Sequence, residues 1–203
     1  RVIDVSEDTN KLLQYLAESG VDIPDSPYIR FAIEAAGGIA AAADAAIAAG
    51  EITADQLFSD HYDPVADTDP PLFRHPGQPL LQRAASGWQA RARQLPGLFD
   101  LNCLDINAFS AVALPERAQT QRPGAFDWNS EHCRAGQLFN VPDMRALART
   151  TQPFTVRTSR RALANGETLL FKQVVVPLVI AGRHWGIVEL TYEDPATKAG
   201  PSF

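Results

Sequence analysis

FTVRTSRRALANGETLLFKQVVVPLVIAGRHWGIVELTY, residues 154–192, is the stretch of this chain that decides its fold. Residues 154–158 alternate between apolar and polar side chains and are rich in residues that favour strands. Asn165-Gly166 is the dipeptide typical of a tight hairpin turn, because both central positions of such a turn need a positive φ. The first half of the stretch therefore predicts a strand followed by a hairpin turn.

A second and a third strand follow that turn. Residues 169–176 are too rich in β-branched side chains to favour a helix, and Pro177 then requires a bulge or a sheet edge because it has no N–H to donate. Ala181-Gly182 predicts a second turn, after which residues 185–192 return as a strand. The stretch as a whole predicts three antiparallel strands in a meander.

Composition narrows the function classes. With 203 residues, of which 45% are hydrophobic, the chain is long enough for one sizeable core, either alone or with a helical extension. A net charge of −6, with no basic run longer than Arg160-Arg161, argues against nucleic-acid binding. Cys103 and Cys133 form no disulfide framework, which favours a reducing compartment, although a single disulfide stays open.

No membrane segment or secretory signal is expected. The longest apolar candidate, residues 32–49, is rich in alanine and interrupted by Glu34 and Asp44.

The first half of the chain is predicted to be helical. Apolar spacing favours a helix over residues 5–19, closed by Gly20, and a second from Ser26 to Gly50, in which Gly37-Gly38 is a candidate bend. Thr53 is placed to cap a short helix over residues 54–58. These helices predict an N-terminal helical extension.

The middle of the chain is less regular. Residues 62–77 are dense in Pro and Asp and predict a loop, and residues 79–94 predict a helix. A first strand is expected to begin at Leu98-Phe99 and to end near Asp105. Residues 111–141 show weak periodicity, as is typical of segments that cover a ligand-facing side.

Two short helices are expected before the meander. Asn129 is a candidate N-cap for a helix through Phe139, with Trp128 as the hydrophobic residue before it, and Pro142 is placed to begin another helix through Arg149. The resulting order predicts an α+β fold, a PAS-like antiparallel sheet with an N-terminal helical extension. We expect a helical region over 1–78, a sensory core over 79–195 and a tail over 196–203.

The sequence resembles the sensory domain, PAS-like or Cache-like, of a group of bacterial methyl-accepting chemotaxis proteins. The matching phrases occur in the same order: Gly20-Val21-x-x-Pro24-Asp25-Ser26-Pro27-Tyr28-Ile29, Gly50-Glu51-Ile52, Leu57-Phe58, Trp128-Asn129-x-x-x-Cys133-Arg134, Leu138-Phe139-Asn140, Gln152-Pro153-Phe154, Arg160-Arg161, and Pro177 leading to Gly182-Arg183-His184-Trp185-Gly186. The resemblance implies a cytoplasmic input module for chemotaxis signal transduction, which passes a conformational signal to a helical signalling domain in a longer protein.

Two departures from that pattern concern polar residues. Where relatives carry Thr-His-Asn after the first strand, this chain has Val112-Ala113-Leu114, and where they place two arginines after Cys-Arg, it has Gly136-Gln137. A ligand that those groups recognise is lost or changed here.

The candidate ligand-binding residues are Cys133, Arg134, Phe139, Arg183, His184 and Trp185. Strand alternation sends His184 and Trp185 to opposite faces, so a pocket role and a packing role stay open for each. A cysteine beside Arg134 and near a helix N-terminus has a lowered thiol pKa, whereas a buried cysteine is inert, and burial is the more common outcome for this residue type. The sequence predicts no metal site, because His132 and Cys133 are neighbours and do not share a helix face.

Two less favoured readings involve histidines. His61 and His75 lie in the predicted loop, exposed by default, and either is a candidate axial haem ligand, although no C-x-x-C-H motif is present. Cys133, a histidine and Asp105 are the best set available for an enzyme, and nothing local resembles a nucleophile elbow, so we do not expect catalysis. The cofactor is left open.

The sequence favours a ligand-sensing domain. A small molecule is expected to bind between the sheet and the helices of residues 129–149, and to shift the helices of residues 5–19 and 31–49, which are also the expected homodimer contact. The alternative is a PAS-like module for dimerisation or partner docking, with a pocket that has degenerated.

Overall fold

The computed structural model describes residues 10–12, 14–15, 19–162 and 168–194. Residues 10–12 and 14–15 are helical, and the α-helices after them are α1 Ser26–Ala48, α2 Ala54–Leu57, α3 Gln78–Ala92, α4 Phe126–His132 and α5 Pro142–Ala148, with a 3₁₀ turn at Pro115–Arg117. The strands are β1 Asp63–Pro64, β2 Phe73–Arg74, β3 Leu98–Asp105, β4 Ser110–Val112, β5 Thr155–Ala162, β6 Thr168–Ile180 and β7 Arg183–Glu193.

Five strands form one antiparallel sheet in the order β4-β3-β7-β6-β5. The first of these strands, β3, therefore lies inside the sheet, beside the last strand, β7. This order, with helices before it and short helices in the connection between β4 and β5, confirms the α+β, PAS-like fold with an N-terminal helical extension.

The predicted meander is confirmed, since β5, β6 and β7 pair in sequence. Ala181 and Gly182 both have positive φ, 50° and 68°, as a primed hairpin turn requires. Pro177 lies beyond the last pair between β5 and β6, Thr155 with Val175, so β6 has a free side there, and a bulge follows between Leu178 and Val179. The predicted Asn165-Gly166 turn lies outside the described residues.

One face of the sheet is covered by α1. Its buried residues recur every three or four positions: Ser26, Tyr28, Ile29, Ala32, Ala35, Ala36, Ile39, Ala43 and Ala46. This stripe packs against β6, β7 and α3, where Val174, Leu178, Leu190 and other apolar side chains meet it. Because one apolar core joins residues on both sides of position 78, the two predicted regions share it, and the division between them stays a prediction.

The expectation that no segment approaches a membrane span is wrong by length and composition. α1 has 23 residues, and its most apolar window has a mean hydropathy of 1.5. In the fold, its alanine-rich face is a core face. A core helix of this kind passes the same test as a spanning helix, so the finding is weak evidence for a membrane segment.

α1 is continuous through Gly37-Gly38, so these glycines do not interrupt the helix, and the bend stays a prediction. Gly38 has a packing role, because a Cβ at this position would lie 2.2 Å from Cζ2 of Trp88 on α3. A Cβ at Gly37 would meet nothing within 4 Å. The alanine-rich helix and its glycine thus let α3 approach closely.

The N-terminal end of α1 is tied to the sheet by a buried carboxylate. Asp25, 6% exposed, accepts hydrogen bonds from Lys172 Nζ at 3.0 Å and from Tyr192 Oη at 2.8 Å. The Tyr192 ring stacks on Tyr28 with centroids 3.6 Å apart, and burial followed by Asp25 raises the pKa of Tyr192. Helix and sheet are therefore joined by an ion pair, a hydrogen bond and a ring stack.

Three local predictions were wrong. Residues 62–77 are not only loop, because β1 and β2 pair within them. Strand β4 was not predicted. Asn129 does not cap a helix through Phe139: it lies inside α4, and its buried side chain bonds the backbone of Arg122 and of Asp69.

Other local predictions were right. Thr53 caps α2 with a full capping box to Gln56. Gly20 has a φ of 75°, as a residue that closes a helix does. The helix expected over residues 5–19 is described only in part.

Weakening the contacts of Asp25 with Lys172 and Tyr192 is expected to destabilise the fold. Asp25→Asn removes the charge that Lys172 faces, and we expect a loss of about 1–3 kcal/mol in the free energy of unfolding, measured by urea denaturation. Asp22→Asn is the matched control, because Asp22 pairs with Arg30 on the surface, where the expected cost is below about 1 kcal/mol. Equal losses in both variants would contradict the role of Asp25.

Adjacent glycines in α1 are expected to respond oppositely to alanine. Gly37→Ala should stabilise by up to about 1 kcal/mol, since alanine is the better helix former and the site is open. Gly38→Ala should cost about 1–3 kcal/mol, because the new methyl group meets the Trp88 ring. The measurement is the thermal unfolding midpoint of each variant, and a gain in both would show that Trp88 does not pack against Gly38.

Candidate functional site

The face of the sheet opposite α1 is divided into two halves. In one half, Leu104, Val175 and Ile187 form an apolar cluster that α5 covers with Leu147 and Ala148. The other half has no such cover among the described residues. In this half, the strand positions that face away from α1 carry polar side chains.

These polar side chains surround a cavity of about 130 Å³. Its walls come from β3, β5, β6, β7 and the segment after α4, with the lining residues Phe99, Asp100, Asn102, Arg134, Ser159, Phe171, Gln173, Glu189 and Thr191. Asn102 is the cross-strand partner of Glu189, and Asp100 is the partner of Thr191. Strand pairing between β3 and β7 thus brings the buried carboxyl groups to one place.

Asp100 is satisfied largely by the protein. Its Oδ1 accepts from the backbone N of Leu114 at 3.1 Å, and its Oδ2 lies 4.0 Å from Arg117 Nε. Burial raises the pKa of Asp100, while the Leu114 hydrogen bond and the charges of Arg134 and Arg117 oppose that rise. Arg117 itself is held over the Phe99 ring, 3.5 Å from its centroid.

Glu189 is satisfied on one oxygen only. Its Oε1 accepts from Thr191 Oγ1 at 3.3 Å and from Gln173 Nε2 at 3.4 Å, whereas its buried Oε2 has no hydrogen-bond partner in the described part of the chain. The residue is 4% exposed. Burial and, less strongly, the charge of Asp100 raise the pKa of Glu189, whereas the charge of Arg134 and hydrogen bonds with the Thr191 and Asn102 side chains oppose that rise.

Asn102 adds a second unsatisfied acceptor. The residue is 2% exposed, and its Oδ1 also lacks a hydrogen-bond partner among the described residues. An unpaired buried acceptor costs about 1–3 kcal/mol by mutational measurements. Two unpaired acceptors lie on neighbouring strands in the wall of one cavity. They mark a place where hydrogen-bond donors are missing.

Arg134 supplies the positive charge of the cavity. Its backbone N donates to Arg117 O at 2.6 Å, and its guanidinium lies over the Phe139 ring, 4.8 Å from the centroid. No hydrogen bond or ion pair joins this guanidinium to the other described side chains at hydrogen-bonding distance. It raises the local potential without neutralising Glu189 directly.

Of the six residues proposed from the sequence, Arg134 lines this cavity. Phe139 supports the Arg134 guanidinium and packs against the apolar half of the face. Cys133 is buried at the end of α4, and burial raises its thiol pKa, so the alternative of a buried cysteine is confirmed and the lowered pKa is not found. Cys133 follows the C-terminus of α4, so the expected position near a helix N-terminus is wrong.

Arg183, His184 and Trp185 fasten the β6–β7 hairpin to its surroundings. Trp185, 2% exposed, lies on the α1 side and donates from Nε1 to Leu57 O at 3.0 Å. His184 Nε2 lies 2.9 Å from Ala148 O, which fixes the proton on Nε2 because a carbonyl oxygen only accepts. The guanidinium of Arg183 lies over the Phe58 ring at 4.0 Å.

Six of the polar lining residues were not predicted: Asp100, Asn102, Ser159, Gln173, Glu189 and Thr191. Their signal was present in the sequence. Polar side chains alternate with apolar ones along strands that are expected to be central, and a central strand with one polar face needs something on that face. What the sequence does not show is which polar residues of different strands become neighbours.

The remaining histidines have local partners. His75 is 4% exposed, so the expectation of solvent exposure is wrong; its Nε2 bonds Ser59 O at 2.9 Å and its Nδ1 accepts from Gly77 N at 3.1 Å. His61 is exposed and pairs with Asp63. His132 stacks on Trp128.

Neither a metal cluster nor the Cys/His/Asp set is assembled in the described ranges. Among residues 10–12, 14–15, 19–162 and 168–194, no group of three or more His, Cys, Asp or Glu side chains is placed to hold a metal ion. The carboxylate of Asp105 accepts from Tyr62 Oη and from the backbone N of Asn107 and of Phe109. It closes the turn after β3.

No protein-family model matches the sequence, and no curated protein matches it significantly. Solved structures with a similar fold include the Vibrio cholerae VqmA dimer, a LuxR-type receptor, in the absence of target DNA, at 15% identity and a TM-score of 0.36, covering 53% of this chain and 50% of that chain. VqmA bound to DPO matches at 17% identity and a TM-score of 0.35, covering 52% and 56%.

A third similar structure is the PAS domain of an HTR-like protein from Haloarcula marismortui, at 12% identity and a TM-score of 0.34, covering 56% of this chain and 94% of that domain. The chain spans about half the length of the VqmA chains it matches. At these scores the likeness carries no argument about the site. The PAS-like description rests on the strand order and the placement of the helices.

Proposed function

We propose that this chain is a ligand-sensing input domain, which binds a small molecule in the cavity between the sheet and the segment that follows α4. The observation that carries the proposal is the pair of buried acceptors, Asn102 Oδ1 and Glu189 Oε2, which no described protein group satisfies. A bound molecule with donors removes a cost of about 1–3 kcal/mol for each unpaired buried atom. Binding and relief of that cost are therefore coupled.

A route for the signal leads from the cavity to the N-terminal helical residues. Ser159 on β5 lines the cavity. On the same edge strand, the backbone N of Val156 donates to Asn10 Oδ1 at 2.8 Å, and directly before the strand Gln14 Nε2 donates to the backbone O of Phe154 at 3.1 Å. A ligand that binds one position of β5 more tightly than another shifts this helix with it.

The proposed signalling partner is a second copy of the chain, joined through the N-terminal helices. Leu12 and Tyr15 are 57% and 67% exposed on the helical residues that contact β5. Exposed large apolar side chains of this kind favour a protein contact. A cytoplasmic location and a chemotaxis signalling domain in a longer protein rest on the resemblance to methyl-accepting chemotaxis proteins.

The residues that replace the polar pattern of those relatives have structural roles here. Val112, Ala113 and Leu114 are buried, and the backbone N of Leu114 binds Asp100. Gly136 has a φ of 90° and lies close to the backbone of Phe73. Any ligand of this chain is therefore recognised by the cavity residues rather than by the positions that relatives use.

A PAS-like docking or dimerisation module is the second candidate. The observation that favours it is the filled apolar half of the sheet face, where α5 covers Leu104, Val175 and Ile187 and where His184 is bonded to Ala148 O. Under this alternative, the polar cavity is a remnant that binds no metabolite.

Ligand binding in the cavity is tested by thermal shift and calorimetry against a panel of polar metabolites. We expect at least one compound to stabilise the protein, and Ser159→Phe to abolish that stabilisation because the ring fills the cavity. Thr158→Phe is the matched control: it lies next to Ser159 on β5, is also exposed, and points to the opposite face. If no compound stabilises the unmodified chain, the docking module is favoured.

Glu189→Gln is expected to stabilise the protein without ligand, increasingly as the pH rises. The raised pKa of Glu189 means that the folded state holds its proton more tightly than the unfolded state does, so the contribution to stability is complete below the unfolded value of about 4.3 and is lost as the pH rises through the folded value. The amide does not ionise and escapes that loss.

The measurement for Glu189→Gln is urea denaturation from pH 4.5 to 8. We expect a gain of about 1–3 kcal/mol at the upper end and a smaller one at the lower end. Asp100 retains its own raised pKa in the variant, so some pH dependence remains. A gain that is constant over the pH range would show that Glu189 does not titrate with a raised pKa.

A further inference from the structure

We propose that the ligand of this cavity is a small zwitterion, whose ammonium group binds Asn102 Oδ1 and Glu189 Oε2 and whose carboxylate binds the Arg134 guanidinium. The inference rests on the proposed function and adds the chemical class of the ligand. It follows from the signs and positions of the charged side chains that line the cavity, and from the volume of the cavity.

The negative partner is Glu189 and not Asp100. Asp100 already has the Leu114 N–H and the Arg117 side chain as partners. Glu189 has only neutral hydrogen-bonding neighbours: Thr191 and Gln173 donate to Oε1, the Asn102 amide also lowers the pKa of the carboxyl group, and Oε2 has no hydrogen-bond partner among the described residues. One carboxylate oxygen is therefore left without a donor.

An amide oxygen lies on the neighbouring strand. Asn102 is the cross-strand partner of Glu189, and its free Oδ1 is a second acceptor. An ammonium group has three donors and no acceptor, so it suits two adjacent acceptors, of which one is charged. A hydroxyl group has only one donor and leaves one of the two oxygens unsatisfied.

The positive partner is Arg134. Arg134 lines the same cavity, and its charge opposes the rise in the pKa of both Asp100 and Glu189. No ion pair joins Arg134 to Glu189 within 4.0 Å among the described side chains. The two charges face one space without neutralising each other, and Arg134 keeps its planar donors for a carboxylate.

The two charges together exclude a ligand with a single charge. A simple cation that pairs with Glu189 meets the charge of Arg134, and a simple anion that pairs with Arg134 meets the buried carboxyl groups of Glu189 and Asp100. In a site as buried as this one, a charge that is left without a partner of opposite sign is costly. A zwitterion satisfies both ends at once.

The volume limits the ligand. An apolar cavity of about 150 Å³ in another protein holds benzene, with six carbon atoms. A cavity of about 130 Å³ therefore holds roughly six non-hydrogen atoms. A zwitterion of that size has its ammonium and carboxylate groups one or two carbon atoms apart, while the exposed position of Ser159 lets a longer substituent reach solvent.

The test compares three molecules of the same size by calorimetry on the full chain. Alanine carries both charges, isobutyrate replaces the ammonium group with a methyl group, and alaninamide replaces the carboxylate with an amide. We expect alanine to bind, with glycine and β-alanine as size variants, and isobutyrate and alaninamide each to bind at least tenfold more weakly. Equal affinity for alaninamide would overturn the role of Arg134, and equal affinity for isobutyrate would overturn the role of Glu189.

Variants separate the two ends of the site. Glu189→Gln should weaken alanine at least tenfold and remove the preference of alanine over isobutyrate, and Arg134→Gln should remove the preference over alaninamide. Arg93→Gln is the control, since Arg93 pairs with Glu116 on the surface. An unchanged alanine affinity in either cavity variant would overturn the proposal.

Failure of this inference is distinguishable from failure of the proposed function. If the zwitterions do not bind but another metabolite of the panel does, and Ser159→Phe abolishes that binding, the sensing function stands and the ligand class proposed here is wrong. If nothing binds, the sensing function is wrong as well.

Discussion

The contact between α1 and the sheet, closed at its end by Asp25, is the constraint on which the rest of the structure depends. Asp25 holds Lys172 of β6 and Tyr192 of β7, so the two central strands and the long helix have one fixed relation. Lys172 also lies 3.7 Å from Asp194, which keeps its ammonium group between two carboxylates. This face of the sheet is closed by an apolar helix, and the cavity lined by Asn102 and Glu189 lies on the other face.

Because side chains alternate along a strand, each central strand places one set of residues in the core and another set in the cavity. On β7, Val188, Leu190 and Tyr192 enter the core beneath α1, while Glu189 and Thr191 enter the cavity. A polar residue at such an inward position costs stability unless it has a partner. The strands that supply the core therefore also carry polar cavity residues that lower the stability of the fold, as is common for binding sites.

The parts of the fold that local chemistry determines were predictable, and the pairing of distant strands was not. Turn dipeptides and β-branched runs predicted β5, β6 and β7, and apolar spacing predicted α1 and α3. The site depends instead on the register between β3 and β7, which brings Asn102 to Glu189 across almost ninety positions of sequence. Residues of the Gly182–Gly186 phrase were assigned to a pocket from the sequence. Alternation along a strand shows that neighbouring side chains face opposite sides of the sheet, but it does not show which side is the core.

The same geometry indicates where a bound molecule changes the protein. Four walls of the cavity are backbone-paired strands, of which β3, β6 and β7 have neighbours on both sides, and β7 and β6 are held under α1. β5 has one strand neighbour, and its other edge is contacted by Asn10 and Gln14 side chains. Since an edge strand moves with fewer broken hydrogen bonds than a central one, the proposed function predicts that a bound molecule acts on the N-terminal helix through β5 rather than through α1.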